Sequence, residues 1–335
     1  MKILGRLELG EPCLWAGFLD GVPCFLALDG RLHGLQGTAR RTLALHDGDV
    51  LSFCVVPDPG GPACLLTAGE DGRVMRSTAR TDPVCVATRT NKWISALAAG
   101  PDGAMAYASG RTVWLTMGSG EPVVLPQSRP VEALAFGRDG RRLAIGLYDA
   151  LALQDTLAGT APVELAWKGV PTQLAFSPDD RFVVACTRDA MMHGWRLDTF
   201  RHFRMVGYSR PPSGLSWLAD GQWLATNGSE GGAVLWPFRG KDGPIGSTPL
   251  VLGDRTDAQA SAVACHPSRR WVAVGYSDGL MALESYEGDV RRILGQAGRE
   301  PVSCLAWQAD GERLAYGTPS GACGVMGAGA GAGGS

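Results

Sequence analysis

The chain has 335 residues, of which 45% are hydrophobic and 19% are charged, and its formal net charge is -2. This composition excludes intrinsic disorder and a coiled coil. The near-neutral charge gives no electrostatic basis for binding nucleic acid or an anionic membrane surface, so neither is expected as a partner.

The chain begins with the charged segment MKILGRLELGEP, which contains no apolar run of signal-peptide length. Within it, residues 2–9 have the character of a β-strand. No stretch of the chain reaches the ~18 consecutive apolar residues that a membrane helix needs. The basic residues are mostly arginine, a bias typical of GC-rich genomes. We therefore expect a bacterial, cytoplasmic protein that does not insert into a membrane.

After this first strand, a repeat runs through the chain. Its best-preserved copy is PVEALAFGRDGRRLAIGLYD at residues 130–149. The copies begin about 41 residues apart, and a period of this length is typical of a repeat protein. They lie at residues 13–29, 50–71, 93–111, 130–149, 170–189, 212–230, 260–278 and 301–320.

Each repeat contains the pattern of four short strands. In the fourth unit, apolar runs at 133–136, 143–146 and 151–153 are separated by turns rich in Gly and Asp, and a weaker run follows at 163–166. Such runs predict an antiparallel sheet. Their nearly continuous apolarity predicts burial on both faces, as where sheets stack on one another. No segment has the 3.6-residue period of a helix.

The last unit stops after its third strand, at residues 321–326. Residues 2–9 supply a spare strand at the other end of the chain, and its pairing with the last sheet would remove an exposed edge. The prediction is an all-β, single eight-bladed β-propeller over residues 1–326, closed by the N-terminal strand. Seven blades are the alternative if unit one is irregular. Residues 327–335, GAGAGAGGS, have the composition of a linker or a cloning remnant.

Over residues 2–326 the repeat resembles that of the WD-repeat (WD40-like) β-propeller family, and the chain is identified as a divergent bacterial member. That family has an acidic residue in the second turn and a Trp-Asp pair beginning six positions later. The pairs Asp189–Trp195 and Glu230–Trp236 keep this spacing, although Arg196 and Pro237 replace the Asp. Of the family's Gly-His pair only His46 fits, so its buried Asp-His-Ser-Trp network is not expected as a set.

The acidic residues of the second turns recur in register with the repeat. Recurrence predicts a structural role, because an Asp side chain accepts backbone N–H bonds in tight turns, whereas a catalytic carboxylate would depart from the pattern. These residues are Asp29, Asp71, Asp149, Asp189, Glu230 and Asp278.

The family resemblance implies that the loops joining strands d to a and b to c form one face that binds peptides or proteins. Aromatic and arginine side chains on such a rim are enriched at binding hot spots. Two tryptophans, Trp93 and Trp167, border loops. The candidate contact residues are Glu70, Lys92, Trp93, Arg129, Tyr148, Trp167, Arg188 and Arg210. The longer, Gly-rich connection at 238–247 is either a recognition loop or slack.

The sequence offers little catalytic machinery. Its five histidines have no metal-ligand spacing. His193 lies in an apolar strand, which predicts a hydrogen-bonded core or channel residue, and His266 lies in a first turn, which predicts exposure. The nine cysteines are spaced singly, which predicts reduced core thiols rather than disulfides or a zinc site.

We therefore expect a non-enzymatic interaction scaffold with no catalytic residue, cofactor or metal, which binds a partner protein or peptide on one propeller face. The alternative is a propeller enzyme, or a small-ligand or metal-binding accessory protein, that uses the mouth of the central channel. Rigid blades favour the scaffold, because loops held in place lose little conformational entropy on binding.

Overall fold

The structure is a computed structural model that describes residues 2–37, 39–56, 63–229, 231–253, 255–288 and 290–327. The predicted tail at 327–335 lies outside these ranges apart from its first residue. The described residues form 32 strands in eight four-stranded antiparallel sheets, and their one helical element is a 3-10 turn at Pro101–Gly103. They contain no helix with the length and apolarity to span a membrane.

The chain divides into two compact units, which are described separately. Unit 1 comprises residues 1–42, 214–237 and 248–335, and unit 2 comprises residues 43–213 and 238–247.

Unit 1 holds blades one, six, seven and eight, with part of β5 in unit 2. Blade one contains β2 (Cys13–Leu19), β3 (Val22–Ala27), β4 (Arg31–Gln36) and β5 (Ala39–Ala44); blade six contains β22 (Leu215–Trp217), β23 (Trp223–Thr226), β24 (Ala233–Pro237) and β25 (Leu250–Leu252). Blade seven contains β26 (Ala260–Cys265), β27 (Trp271–Tyr276), β28 (Leu280–Ser285) and β29 (Arg291–Gln296); blade eight contains β30 (Cys304–Trp307), β31 (Arg313–Gly317), β32 (Ala322–Gly327) and β1 (Lys2–Glu8).

Unit 2 holds blades two to five. Blade two contains β6 (Val50–Val56), β7 (Cys64–Gly69), β8 (Arg73–Ser77) and β9 (Val84–Thr88); blade three contains β10 (Ala96–Ala99), β11 (Met105–Ser109), β12 (Thr112–Thr116) and β13 (Val123–Pro126). Blade four contains β14 (Val131–Phe136), β15 (Arg142–Leu147), β16 (Ala150–Asp155) and β17 (Val163–Ala166); blade five contains β18 (Pro171–Phe176), β19 (Phe182–Thr187), β20 (Met192–Arg196) and β21 (His202–Met205).

The N-terminal strand completes the last blade. β1 pairs antiparallel with β32, in a register that runs from Lys2 opposite Gly327 to Glu8 opposite Ala322. The strand order of this sheet is β1-β32-β31-β30. The eight sheets are the blades of a β-propeller, so the prediction of eight blades closed by the first strand is confirmed.

Burial follows the position of a strand within its blade. The second strands of blades one, two and five are buried along their whole length, as expected for strands covered on both faces. The fourth strands are the most exposed, as Val84 and Val123 illustrate. The core therefore consists of inner strands stacked between neighbouring sheets, as in the cluster that contains Val113, Leu115 and Ile145.

One glycine sets how closely two loops approach in unit 2. Gly72 has φ +73°, and a Cβ at this position would lie 2.2 Å from the carbonyl oxygen of Arg89 and 2.6 Å from that of Lys92. A residue without a side chain is therefore required where the b–c turn of blade two meets the d–a connection that follows it.

Candidate interaction face

In unit 2, the d–a connections that enter blades four and five are hydrogen-bonded to b–c turns. The amide of Val131 donates to the Gly110 carbonyl at 2.8 Å, and the amide of Arg188 donates to the Val170 carbonyl at 3.1 Å. These bonds bring the connections to one side of blades three to five. We call this surface the loop face; it consists of residues 89–95, 110–111, 127–130, 148–149, 167–170, 188–191 and 206–213.

Two aromatic side chains project from the loop face. Trp93 is 63% exposed and Tyr148 is 53% exposed, although both are large side chains that water solvates poorly. Trp93 and Lys92 also line an open depression of about 470 Å³ together with Ser109 and Gly110. The structure thus places these three predicted residues where a partner can reach them.

The predicted arginines differ in how they are held. Arg129 donates to the Tyr148 carbonyl at 3.2 Å and lies 3.3 Å from the Glu164 carboxylate. Arg188 lies 3.2 Å from Glu132. These ion pairs are solvated and worth at most about 1 kcal/mol each, so they orient the arginines without removing them from solvent.

The remaining predicted residues occupy different settings. Arg210 is exposed on the loop face and has no ion pair within the described ranges. Glu70 is half-buried in the b–c turn of blade two, where its amide donates to Asp49. It lies outside the loop face as defined above.

Trp167 is not a surface residue, which corrects the sequence-based prediction. It is only 8% exposed, and its ring lies 4.5 Å from that of His193 and 5.6 Å from that of Trp195, measured between centroids. Both neighbours come from the third strand of blade five. The sequence around Trp167 resembles a loop border, but the ring is covered by the next blade.

Sequence reasoning missed the charge of the loop face. Besides the arginines and lysine already predicted, three exposed or partly exposed cations lie in the same loops. The loop face holds seven cations, Arg89, Lys92, Arg111, Arg129, Lys168, Arg188 and Arg210, and two acids, Asp149 and Asp189. Because the net charge of the chain is -2, this local excess stands out. It was visible in the sequence only once the loops were aligned by repeat.

Blade two contains three members of the buried network that the sequence did not lead us to expect. His46 Nδ1 lies 3.0 Å from an Asp71 carboxylate oxygen, and its Nε2 lies 2.8 Å from Thr67 Oγ1. Burial raises the pKa of Asp71, but the hydrogen bonds from His46 and two backbone amides outweigh it, so the pKa lies below its ordinary value. Ser77 stands where the family has Trp, which is why the set remains incomplete.

One segment of the chain matches a known family of repeats. Residues 166–196, which include β18 to β20, match the sequence profile of the family described as WD40, "WD domain, G-beta repeat". Blade five of this β-propeller therefore contains a WD repeat.

Two known proteins are similar to this chain. The "WD repeat-containing protein 26 homolog" of Arabidopsis thaliana is 22% identical over 169 residues, which are 48% of this chain and 27% of that protein. The match therefore spans about a quarter of that relative's length. The crystal structure of the computationally designed Ika8 protein has a TM-score of 0.71 at 17% identity, covering 98% of this chain and 100% of the other. At this identity the likeness shows the fold alone.

Four of the six acidic turn residues, Asp71 among them, accept the backbone hydrogen bonds predicted for them. Asp149 accepts a hydrogen bond from the Gly169 amide at 2.8 Å, Asp278 from that of Leu280 at 3.1 Å, and Asp29 from that of Arg31 at 3.2 Å. Asp189 is exposed, and its carboxylate receives no hydrogen bond within the described ranges. Glu230 lies outside the described residues.

Four of the propeller's five histidines, His33, His46, His193 and His266, are buried. His193 Nδ1 lies 2.8 Å from His202 Nε2, and burial, aided by His202, lowers the pKa of His193 to about 4, so it is a neutral core residue as predicted. The predicted exposure of His266 is wrong. It is 4% exposed, and its Nδ1 accepts the amide hydrogens of Ser268 and Arg269, because it caps its own turn beneath the last blade. No three His, Cys, Asp or Glu side chains among the described residues are arranged to hold a metal.

The connection at 238–247 is fastened to blade five. Phe238 is fully buried, 5.2 Å from the Phe182 ring, and Asp242 forms a 2.5 Å ion pair with Arg196. Arg196 replaces the Asp of the family's Trp-Asp pair, so the departure from the family pattern is what anchors this segment. A segment anchored in this way is not a loose connection between blades.

Proposed function

We propose that this WD-repeat propeller is a non-enzymatic interaction scaffold that binds an acidic segment of a partner protein on its loop face. WD-repeat propellers are generally scaffolds for protein interaction. The observation that carries the finer proposal is the loop face itself, where seven cations and two exposed aromatic side chains meet only two acids.

The two kinds of side chain contribute differently to binding. Trp93 and Tyr148 provide apolar area, and removal of such an aromatic anchor typically costs 2 kcal/mol or more, roughly a 30-fold loss of affinity. The cations raise the association rate of a negatively charged partner and make it dependent on salt. Lys92, Arg111 and Lys168 have no ion pair within the part of the chain that the structure describes, so their charge is available.

Hydrogen bonds within the loops support this function. The Asp149 carboxylate fixes the Gly169 amide, and the Arg129 guanidinium fixes the Tyr148 carbonyl. Because these loops are already ordered, little conformational entropy is lost when a partner binds. A bacterial origin, expected from the excess of arginine over lysine, and a cytoplasmic location, expected from the singly spaced cysteines, belong to the same proposal.

The test is selection from a random peptide library on the full chain, followed by affinity measurement by fluorescence polarisation at 50 and 300 mM salt. We expect enriched peptides to carry net negative charge and an apolar residue, and to bind more weakly at high salt. Enrichment of neutral or basic peptides would overturn the choice of partner, and equal binding of single-stranded DNA would identify a nucleic-acid site instead.

A charge-matched pair of variants localises the site. The test variant reverses Lys92, Arg111 and Lys168 to Glu. The control variant reverses Arg141, Arg142 and Lys241, three exposed cations outside the loop face, and changes the net charge by the same amount. We expect at least a tenfold loss of affinity in the first variant and less than twofold in the second. Equal losses would show that net charge alone drives binding, which would refute the loop face as the site.

A further inference from the structure

Three cysteines that are distant in the sequence meet within unit 1, where blade eight adjoins blade one. Cys304 on β30 lies directly opposite Gly317 on β31, and Gly317 lies directly opposite Cys323 on β32. Cys13 begins β2 in the next blade. Its Sγ lies 3.8 Å from that of Cys304, across 291 positions of sequence.

Gly317 provides the space in which these sulfurs meet. A Cβ at this position would lie 2.4 Å from Cys13 Sγ and 2.9 Å from Cys304 Sγ. Any other residue would push the two sulfurs apart. The sheet therefore has a gap that brings a thiol of one blade against a thiol of the other.

The two thiols are not equivalent. Cys13 is buried, whereas Cys304 is partly exposed and is therefore the one that a small oxidant reaches. The hydrogen bond from Cys13, with a further contribution from Ser303, lowers the pKa of Cys304, while the same bond and burial raise the pKa of Cys13. Cys304 thus has more thiolate character, and Cys13 holds its proton.

We propose that Cys13 and Cys304 form a reversible disulfide when the protein meets a peroxide, and that this bond locks the first blade to the last. The Cys304 thiolate attacks the peroxide, the O–O bond breaks, Cys304 becomes a sulfenic acid, and the departing hydroxide is protonated to water. The Cys13 sulfur then attacks the Cys304 sulfur, loses its proton, and displaces the second oxygen as water. The two thiols are oxidised, and one peroxide is reduced to two waters.

The geometry allows this bond with small movements. A disulfide needs a sulfur separation of about 2.05 Å, so the two atoms approach by less than 2 Å through side-chain rotation. In the reduced protein, hydrogen bonds between β1 and β32 close the last blade. The disulfide adds a covalent tie between β2 and β30. A cytosolic disulfide of this kind is typically transient and redox-sensing.

Peptide mapping tests the proposal directly. The full chain carrying Cys85→Ser, which removes the exposed thiol, is treated with equimolar hydrogen peroxide, alkylated and digested with trypsin under non-reducing conditions. Tryptic cleavage places Cys13 together with Cys24 in residues 7–31, Cys304 in 300–313 and Cys323 after Arg313, and fragmentation of the linked peptides identifies the joined cysteine. We expect the first two peptides to be linked through Cys13, and the link to disappear on treatment with dithiothreitol.

Variants and stability provide the controls. Cys323→Ser should still form the link, and Cys304→Ser should not. Oxidation should raise the Tm of the Cys85→Ser protein by roughly 5 °C, since the tie closes a long loop, and should leave that of the Cys304→Ser variant unchanged. Should Cys304→Ser fold poorly, the map of the unsubstituted pair decides alone. A link between Cys13 and Cys323, or peroxide consumption with no link, would overturn the proposal.

Discussion

The buried network of blade two allows a stability prediction whose size follows from the structure. The Asp71 side chain is 7% exposed and accepts hydrogen bonds from His46 at 3.0 Å, from the Arg73 amide at 3.0 Å and from the Asp47 amide at 3.2 Å. Asp71→Ala removes all three acceptor contacts. His46 is buried and is left without one partner, whereas water can reach the two amides.

An unsatisfied buried donor costs about 1–3 kcal/mol, and each solvated amide loses roughly 0.5 kcal/mol, so the free energy of unfolding should fall by about 3 kcal/mol. For a chain of this size that corresponds to a Tm lower by about 4 °C. The assay is thermal and urea unfolding followed by circular dichroism at pH 7.5.

Asp189 is a matched control for Asp71, because it occupies the same turn position in blade five. It is exposed, and its carboxylate receives no hydrogen bond within the described ranges. Asp189→Ala should change stability by less than about 0.5 kcal/mol. The reasoning would be refuted if the two alanine variants melted together. It would also be refuted if Asp71→Ala were as costly in the His46→Ala background as in the unsubstituted protein, since coupled partners are not additive.

Three further predictions concern other parts of the molecule. Burial and the Arg40 guanidinium lower the pKa of His33 to about 4, and burial does the same for His193, so the unfolded chain binds more protons than the folded one between pH 6.5 and 4. The urea midpoint should therefore stay constant above pH 6.5 and fall as the pH drops through this window, and the fall should be smaller for His193→Phe. A midpoint that does not change with pH would contradict the buried neutral state. Deleting residues 2–8 exposes the edge of β32, so the truncated chain should have a lower Tm and should form dimers or larger species. Size-exclusion chromatography with light scattering measures the second effect. A truncated chain that stays monomeric with an unchanged Tm would argue against closure by β1. Arg196→Ala should release the connection at 238–247, so that tryptic cleavage at Lys241, followed by mass spectrometry, becomes several-fold faster. The control Arg201→Ala should not change the cleavage rate, because the 3.9 Å contact between Arg201 and Asp242 is solvated. Equal cleavage rates in the two variants would show that Phe238 alone anchors the segment.

The architecture could be predicted from the sequence because it is local and repetitive. Strand length, turn residues and the 41-residue period are properties of neighbouring residues, and the spare strand at residues 2–9 has a single free edge to join. The role of Asp149 followed in the same way, since a turn binds its own amides.

The errors and omissions come from neighbours supplied by other blades. Trp167 borders a loop in sequence, but β20 covers its ring, and His266 has a turn's sequence but a Gly311 carbonyl 3.2 Å from its Nε2. The charge of the loop face is divided among seven short segments. The contact between Cys13 and Cys304 forms only when the last blade packs against the first, so no local sequence pattern predicts it.

The most direct test of the central claim is hydrogen–deuterium exchange of the full chain with and without a saturating acidic peptide obtained by selection. The account predicts slower exchange in residues 89–95, 127–130, 167–170 and 206–213, the connections that form the loop face. Protection confined to the opposite strand ends, such as the turns at 101–103 and 139–141, would contradict it.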